Sequence, residues 1–156
     1  MTGSGKSKLE DVAVQYFRLV DAGDPAVIDL FVDDAQMFYP KFGHARGKAE
    51  IGAFARGLAR GVSRLQHELD DFNVIAVGSY VVVEGAEHGR TSSGIDFPDG
   101  TSSFGVFCNV FEFEGDLIKQ VHIYVDPDFA STHADGVAWG ESVQADIAEL
   151  RRADKT

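Results

Sequence analysis

The first chemically informative pattern is an amide side chain among aromatic rings. Asn109 lies in a predicted strand, and the side chains that share its face at a period of two are Phe107, Phe111 and Phe113. A buried amide without hydrogen-bond partners costs free energy. We therefore predict that Asn109 lines an apolar pocket and forms hydrogen bonds there with a ligand or with water.

A tyrosine on the first predicted helix is the second candidate. Tyr16 belongs to the apolar face of that helix, together with Val12 and Leu19. Two interpretations remain open at this point. Tyr16 is either a core tyrosine whose hydroxyl is satisfied within the protein, or a hydrogen-bond donor to a ligand.

Two further polar residues alternate with apolar ones in the last predicted strand. His122 and Tyr124 occupy one face, while Val121 and Ile123 occupy the other. The apolar set suits the pocket, so we expect His122 and Tyr124 on the outer face of the sheet. Histidine and tyrosine at a partly wet dimer interface need no catalytic role.

The histidines and acids do not have the spacing of a metal site. His67 and His88 belong to no His-x-His or His-x-x-x-His pattern. Residues 126–128, Asp-Pro-Asp, lack the glycine and terminal glutamate of a calcium loop. Cys108, on the face opposite Asn109, is predicted to be structural. We expect no bound metal.

The composition is typical of a globular protein of one domain. The chain has 156 residues, of which 44% are hydrophobic and 11% aromatic, enough to form a buried core. Its formal net charge is −11, and the acidic excess lies within residues 61–156. A charge of this sign repels phosphate, so neither a nucleic acid nor an anionic membrane surface is an expected partner.

The same inspection indicates the cellular compartment. No segment approaches the roughly 18 apolar residues of a membrane-spanning helix, and the polar N-terminus has no apolar leader. A single cysteine, Cys108, excludes an internal disulfide framework. We expect a reduced, cytoplasmic protein.

The first 60 residues have the pattern of helices. Apolar residues recur at steps of three and four from Leu9, which predicts a helix that ends at Gly23. Asp24-Pro25 predicts the start of a short second helix, closed by Asp33-Asp34. A brief edge strand at Met37–Pro40 and a third helix over residues 48–60 follow.

After Gly61 the apolar period changes to two. The four predicted strands are residues 65–77, 80–90, 102–114 and 117–126. Tight hairpins are predicted at Gly78-Ser79 and Gly115-Asp116, with a longer connection over residues 91–101. A final helix is predicted over residues 137–152. Helices followed by a long antiparallel sheet give an α+β fold.

Two segments carry a resemblance to a known superfamily. The stretch from Tyr16 to Ala35, with Ala-Gly-Asp and Asp-Asp-Ala, and the stretch Val121–Pro127 resemble the nuclear transport factor 2-like superfamily, in its SnoaL-like and ketosteroid-isomerase-like branch. The resemblance covers residues 9–128, leaving a flexible tail (1–8) and a C-terminal extension (129–156).

The resemblance implies a particular architecture. It is a cystatin-like roll, in which a strongly bent, cone-shaped antiparallel sheet wraps around the N-terminal helices and encloses an apolar pocket. Members of the superfamily commonly form homodimers through the outer face of the sheet. The C-terminal extension, with Trp139, is then expected to cover the pocket mouth or the partner subunit.

Similarity to the steroid isomerases implies roles for three residues. Tyr16 matches the donor tyrosine of these enzymes, and Asn109 takes the place of their second donor, a protonated acid. The position of their carboxylate base holds Tyr39. Since a tyrosine with an ordinary pKa near 10 is a poor base at neutral pH, we do not expect ordinary steroid isomerisation.

Similarity to scytalone dehydratase and related dehydrochlorinases implies a histidine–aspartate pair. The matching residues are His67 as base and Asp21 as the group that orients it. His88 falls near the second histidine of those enzymes. Because Tyr16 and Asp21 are about 140° apart on an ideal helix, we expect the helix to loosen near Asp21 if both line one pocket.

These observations lead to two functional hypotheses. The first is a cofactor-free enzyme of isomerase, dehydratase/lyase or cyclase type that acts on a hydrophobic molecule with a carbonyl or hydroxyl group. The second is a non-catalytic ligand-binding or dimeric assembly domain of the same fold. Besides the four residues with assigned roles, the predicted ligand-binding residues are Phe38, Tyr39, Phe54, His88, Phe111 and Ile123.

Overall fold

The computed structural model describes residues 7–153 of the chain. Its α-helices are α1 (Lys8–Ala22), α2 (Gly47–Gly61) and α3 (Ala134–Ala153), and short 3₁₀ helices span Pro25–Leu30 and Leu69–Asp71. The strands are β1 (Phe31–Tyr39), β2 (Gly43–Arg46), β3 (Val62–His67), β4 (Asn73–Val77), β5 (Tyr80–Thr91), β6 (Asp96–Phe97), β7 (Val106–Glu114) and β8 (Leu117–Val125).

All eight strands belong to one curled sheet. Its order is β2-β1-β8-β7-β5-β3, and β4 and β6 also pair with β5. The pairs are antiparallel except for β1 and β8, which run parallel. Helix α1 packs against β3, β4 and β5, and α2 packs against β1, β2 and β3. The predicted α+β fold, with a bent sheet around N-terminal helices, is confirmed; the parallel pair was not predicted.

Helix α1 begins and ends at strong local signals. Ser7 forms a capping box with Glu10, in which its hydroxyl accepts from the Glu10 N–H and its own N–H donates to the Glu10 carboxylate. Gly23 ends the helix in the left-handed conformation, with φ of 63°. Ser7 and Lys8 therefore belong to the capped helix and not to the predicted tail; residues 1–6 of that tail lie outside the described residues.

Strand β1 corrects the prediction for residues 31–39. The second helix ends at Leu30, and Asp33 and Asp34 lie within a nine-residue strand instead of closing the helix. This strand lies between β2 and β8, so it is not an edge strand. The two aspartates fall where the register with β8 shifts, and a bulge of this kind exposes them without interrupting the strand.

Two of the predicted strands differ in extent. The span 65–77 is divided into β3 and β4 by the 3₁₀ helix at Leu69–Asp71. Strand β7 begins at Val106 and not at residue 102. The Asp99 carboxylate accepts backbone N–H groups from residues 101–103 and holds them in a turn, which keeps them out of the sheet.

The long strand β5 contains two glycines that leave no room for a side chain. A Cβ atom on Gly85 would lie 2.6 Å from the Phe72 ring, and one on Gly89 would lie 2.0 Å from the carbonyl oxygen of Arg64. The close approach of these neighbours therefore requires glycine at both positions. Glu87 lies between the two glycines and is only 7% exposed.

The C-terminal extension contains the predicted helix, which spans residues 134–153. The Gln144 side chain donates a hydrogen bond to the Thr101 carbonyl oxygen at 2.9 Å. Trp139 is 72% exposed. Among residues 7–153 there is no helix with both the length and the apolarity needed to cross a membrane.

Candidate active site

Five polar side chains line a small cavity inside the cone, which we call the inner cavity. Its volume is about 40 Å³, and most of its other lining residues are apolar. The five polar residues come from α1, β1, β3, β5 and β7, and they are Tyr16, Tyr39, His67, Glu87 and Asn109. The fold thus brings polar groups distant in sequence to one apolar space, an arrangement typical of a small-molecule site.

The histidine and aspartate implied by the resemblance form a close pair. Asp21 Oδ1 lies 2.5 Å from His67 Nδ1, and Asp21 Oδ2 accepts the His67 backbone N–H at 2.9 Å. The neighbouring Gln66 side chain donates to the Asp21 carbonyl oxygen at 3.1 Å. These contacts join the last turn of α1 to the end of β3. They fix the ring orientation of His67 and favour the tautomer with a proton on Nδ1.

The expected loosening of α1 does not occur. The helix remains regular through Ala22, and Tyr16 still lines the inner cavity. Asp21 is not part of the cavity wall, because its carboxylate lies behind the His67 ring, on the Nδ1 side. The 140° separation is therefore compatible with both roles: the tyrosine faces the cavity, and the aspartate reaches the histidine.

The other ring nitrogen of His67 faces a second carboxylate. Glu87 Oε2 lies 3.4 Å from His67 Nε2, and the two residues are directly paired across β3 and β5. The side chains of His67 and Glu87 are 6% and 8% exposed. Glu87 is not among the site residues predicted from the sequence.

His88, which was predicted to bind ligand, lies on the opposite face of β5. Its Nδ1 pairs with Glu68 Oε1 at 2.9 Å, and its side chain is 43% exposed. The period-two pattern contained the correct signal: Val81 and Val83 face the core, and the same alternation leads to Glu87.

Burial lowers the pKa of His67, but the hydrogen bonds to Asp21 and Glu87 and the charges of both carboxylates outweigh burial. The net effect raises the pKa above its ordinary value of 6.5. Besides these two acids, the ring contacts Phe17 and Phe107. The positively charged form of His67 is therefore favoured within the fold.

This pKa shift predicts a pH-dependent stability. The raised pKa stabilises the fold fully below the ordinary value near 6.5, and this contribution is lost as pH rises through the folded-state value. We expect the free energy of unfolding, measured in urea, to fall with rising pH above about 6.5 more steeply in the wild type than in His67→Gln. His44→Gln is the control, since His44 is exposed in β2. Identical slopes for wild type and His67→Gln would contradict the assignment.

The two proposed oxygen donors also lie at the inner cavity. The ring of Tyr16 packs edge-on against Phe17 and Phe111, with centroid distances of 5.2 and 5.3 Å. Burial, and then the charge of Glu87, raises the pKa of Tyr16, so its hydroxyl keeps its proton. Asn109 is 2% exposed, and its Oδ1 has no hydrogen-bond partner among the described residues.

The unpartnered Oδ1 atom of Asn109 is expected to lower the stability of the fold. Asn109→Leu keeps the branched shape and the number of heavy atoms of the side chain and removes the unsatisfied acceptor, so we expect the free energy of unfolding to increase by about 1–2 kcal/mol. Asn73→Leu is the control, because Asn73 is exposed and its side chain donates a hydrogen bond to Glu84. Chemical denaturation measures both. A destabilised Asn109→Leu would mean that Asn109 has partners within the protein.

The remaining predicted ligand-binding residues divide into two groups. Tyr39, Phe54 and Ile123 line the inner cavity. Phe38 does not, because it alternates with the inward-facing Tyr39 and packs against aromatic side chains on the outer face. Phe111 is fully buried behind Tyr16 and contributes to the core, not to the cavity wall.

A larger space adjoins the inner cavity, and we call it the outer cavity. It has a volume of about 180 Å³. Glu87, Val125 and Phe129 line both spaces, so they form the partition between them. Phe129 belongs to the C-terminal extension. The extension therefore contributes to the cavity through Phe129, whereas Trp139, the residue singled out from the sequence, does not line it.

The outer face of the sheet carries a row of aromatic and aliphatic side chains. The register aligns neighbouring strands so that the row runs through Val82, Val110, His122, Phe38 and His44. Tyr124 lies beside this row and is 48% exposed. His122 and Tyr124 thus face outward, opposite the buried Val121 and Ile123.

Within the described residues, no three His, Cys, Asp or Glu side chains are grouped as metal ligands.

Comparisons with solved structures identify the fold. A nuclear transport factor 2-like protein of unknown function from Burkholderia pseudomallei has a TM-score of 0.67 and 18% identity, covering 78% of this chain and 92% of that one. A candidate polyketide cyclase from Pseudomonas putida has a TM-score of 0.64 and 22% identity, with 81% and 97% covered. TerC co-crystallised with polyporic acid has a TM-score of 0.64 and 15% identity, with 77% and 92% covered.

Identities at this level show a shared fold and not a shared activity. No curated protein matches the chain. The sequence profile of the SnoaL-like domain, however, matches residues 13–121, which is most of the chain. The protein therefore belongs to the SnoaL-like domain family, within the nuclear transport factor 2-like superfamily.

Proposed function

We propose that this protein is a cofactor-free enzyme that transfers protons on a hydrophobic small molecule carrying a carbonyl or hydroxyl group. The reaction is of isomerase, dehydratase/lyase or cyclase type. One observation carries the proposal: the buried Asp21–His67 pair, with a 2.5 Å contact, lies at an apolar cavity that also holds a tyrosine and an amide. Similarity in fold to a candidate polyketide cyclase is consistent with it.

The roles follow from the chemistry of each group. His67 is the acid/base histidine, and Asp21 fixes its tautomer and stabilises its charged form. Tyr16 and Asn109 donate hydrogen bonds to the substrate oxygen, where negative charge develops when a proton leaves the neighbouring carbon. The apolar walls strengthen these interactions by excluding water.

Ordinary steroid isomerisation remains an unfavourable interpretation. Burial, followed by the charge of Glu87, raises the pKa of Tyr39 above its ordinary value of 10. Tyr39 is therefore an even poorer base than a free tyrosine, at the position where the steroid isomerases have a carboxylate.

The size of the cavity sets a condition on binding. A volume of about 40 Å³ holds a few water molecules, whereas ligand sites usually measure about 300–1,000 Å³. A substrate must therefore displace part of the wall. Phe129, between the inner and outer cavities, is the side chain whose movement would join the two spaces.

Proton exchange tests the proposal without knowledge of the natural substrate. The protein is incubated in D₂O with a panel of hydrophobic ketones, including β,γ-unsaturated and β-hydroxy ketones, and loss of α-proton signals is followed by NMR. We expect at least one ketone to exchange faster than in buffer alone. Exchange at the buffer rate for the whole panel would contradict the proposal.

The second candidate function, a non-catalytic dimeric assembly domain, is favoured by the small cavity and the exposed outer face. In either case we propose a homodimer through this face. We expect a mass near twice the 16.9 kDa of the chain in light scattering, and a monomer for Tyr124→Glu, which buries a charge at the interface. Ile95→Glu is the control, because Ile95 is exposed in the turn between β5 and β6. A wild-type monomer would contradict the dimer.

A further inference from the structure

Glu87 is a buried carboxylate without a role in the chemistry described so far. It lines both the inner and the outer cavity, and its side chain is 8% exposed. Its backbone N–H donates to the Gly105 carbonyl oxygen at 2.7 Å, which anchors its position in β5. A buried carboxylate needs a compensating charge or hydrogen bonds, because burial of an isolated charge is costly.

His67 supplies that compensation, since its ring lies between two carboxylates. Nδ1 is 2.5 Å from Asp21, and Nε2 is 3.4 Å from Glu87. A neutral ring with its proton on Nδ1 would direct the Nε2 lone pair at a carboxylate oxygen. An imidazolium donates its Nδ1–H to Asp21 and places its positive charge 3.4 Å from Glu87, so this geometry favours the charged ring.

An imidazolium cannot accept a proton from a substrate. The lone pairs that then remain at the cavity to accept one belong chiefly to the carboxylate of Glu87. The hydroxyl groups that face the same space, on Tyr16 and Tyr39, keep their protons, and the charge of Glu87 contributes to this at both tyrosines. Asp126 faces the outer cavity, and its carboxylate accepts the backbone N–H of Asp128.

We propose that Glu87 is the catalytic base of this site and that His67, held by Asp21, is its positively charged partner. The assignment rests on the proposed function, and it transfers the role of proton acceptor from His67 to Glu87. The substrate class is a hydrophobic ketone with an acidic proton next to the carbonyl, bound so that this carbon faces Glu87 and its oxygen faces Tyr16 and Asn109.

The step balances in atoms and charge. A Glu87 oxygen takes the α-proton, the C–H electron pair becomes the carbon–carbon double bond of the enolate, and the negative charge moves to the substrate oxygen. His67 keeps its proton; it balances the carboxylate before the step and the enolate after it. When the proton on Glu87 exchanges with D₂O before it is returned, the α-carbon receives a deuteron; when Glu87 delivers its proton to another carbon of the conjugated enolate, the product is isomerised.

The experiment compares Glu87→Gln with Glu84→Gln in the ketone exchange assay. Glu84 lies on the same strand but is exposed on the other face. We expect Glu87→Gln to lower the exchange rate by about 10²–10⁴-fold, mainly through kcat, and Glu84→Gln to leave it unchanged. Glu87→Asp, which keeps a carboxylate, should restore part of the rate, and formate should partly rescue Glu87→Ala.

A second readout is independent of turnover. In ¹⁵N NMR of the ligand-free protein, both ring nitrogens of His67 should be protonated at pH 7, and Glu87→Gln should lower the pH at which the ring loses its proton. A neutral His67 ring at pH 7, or exchange that survives Glu87→Gln within threefold, would overturn the assignment of Glu87. Exchange at the buffer rate in the wild type would overturn the proposed function, and the role of Glu87 with it.

Discussion

Replacing His67 by glutamine is expected to reduce ketone exchange by about 10²–10³-fold, the loss typical when one group that stabilises the developing negative charge is removed. Glutamine retains hydrogen-bonding capacity but cannot carry the charge that the ring holds between Asp21 and Glu87. The remaining carboxylates would face each other without a cation. The rate should therefore fall mainly through kcat, because the apolar walls that bind the substrate are unchanged.

His88→Gln is the matched control for that experiment. His88 is a histidine on the neighbouring strand, 43% exposed on the outer face and paired with Glu68. We expect its exchange rate to stay within about twofold of the wild type, as for surface sites away from the cavity. Equal losses in the two variants would indicate a general effect of histidine removal and would contradict the special role of His67.

Replacing Asp21 by asparagine is expected to have two large effects. An amide can accept the His67 backbone N–H, but it cannot balance the charge of the ring. Removing one partner of a buried ion pair costs about 3–5 kcal/mol, and we expect a loss of unfolding free energy near the lower figure because the isosteric amide retains one hydrogen bond. Exchange should fall about 10²–10³-fold, because the charged ring loses the carboxylate that holds its orientation and stabilises its charge.

A charge-removing variant elsewhere on α1 controls for effects on the helix. This control is Asp11→Asn, because Asp11 lies in the first turn of α1 and is exposed. We expect it to change stability by less than about 1 kcal/mol, the usual size of a charge effect at a helix end, and to leave exchange unchanged. If Asp21→Asn behaved like Asp11→Asn in both measurements, the Asp21–His67 pair would have no functional importance.

Much of the fold could be predicted from local signals. The capped end of α1 at Gly23, the hairpins at Gly78 and Gly115, and the change of period after Gly61 are encoded in a few residues each. Strand β1 could not be predicted in this way, because Asp33-Asp34 suggests a helix end when considered alone. Only the pairing with β2 and β8 makes that segment a strand, and this pairing is a tertiary contact.

The division of the segment 65–77 was not predictable for a related reason. Residues 68–72 contain neither glycine nor proline, so nothing in the local sequence marks the 3₁₀ helix. The turn separates β3 from β4, which pair with different parts of β5. The need for it arises from the curvature of the sheet and not from the propensity of its residues.

In the candidate site, too, some features could be predicted from local sequence and others depend on tertiary contacts. Asn109 could be placed at a pocket from its aromatic neighbours alone, whereas the approach of Asp21 to His67 follows only from the resemblance to the dehydratases. Glu87 was not predicted as a site residue, and His88 was, because the prediction relied on residue type and not on which face of the strand each residue occupies. A period of two separates residues into two faces, and the valines at 81 and 83 then decide which face is buried.

A crystal structure with 2-naphthol tests most directly whether these residues act on one ligand, because the phenolic oxygen on an apolar ring imitates an enolate. We predict that it occupies the joined inner and outer cavities with Phe129 displaced. Its oxygen should lie within about 2.6–3.2 Å of the Tyr16 hydroxyl and the Asn109 amide, with a ring edge facing Glu87. Naphthol bound only on the outer face of the sheet, with the inner cavity still closed, would contradict the claim that these residues act together on a ligand.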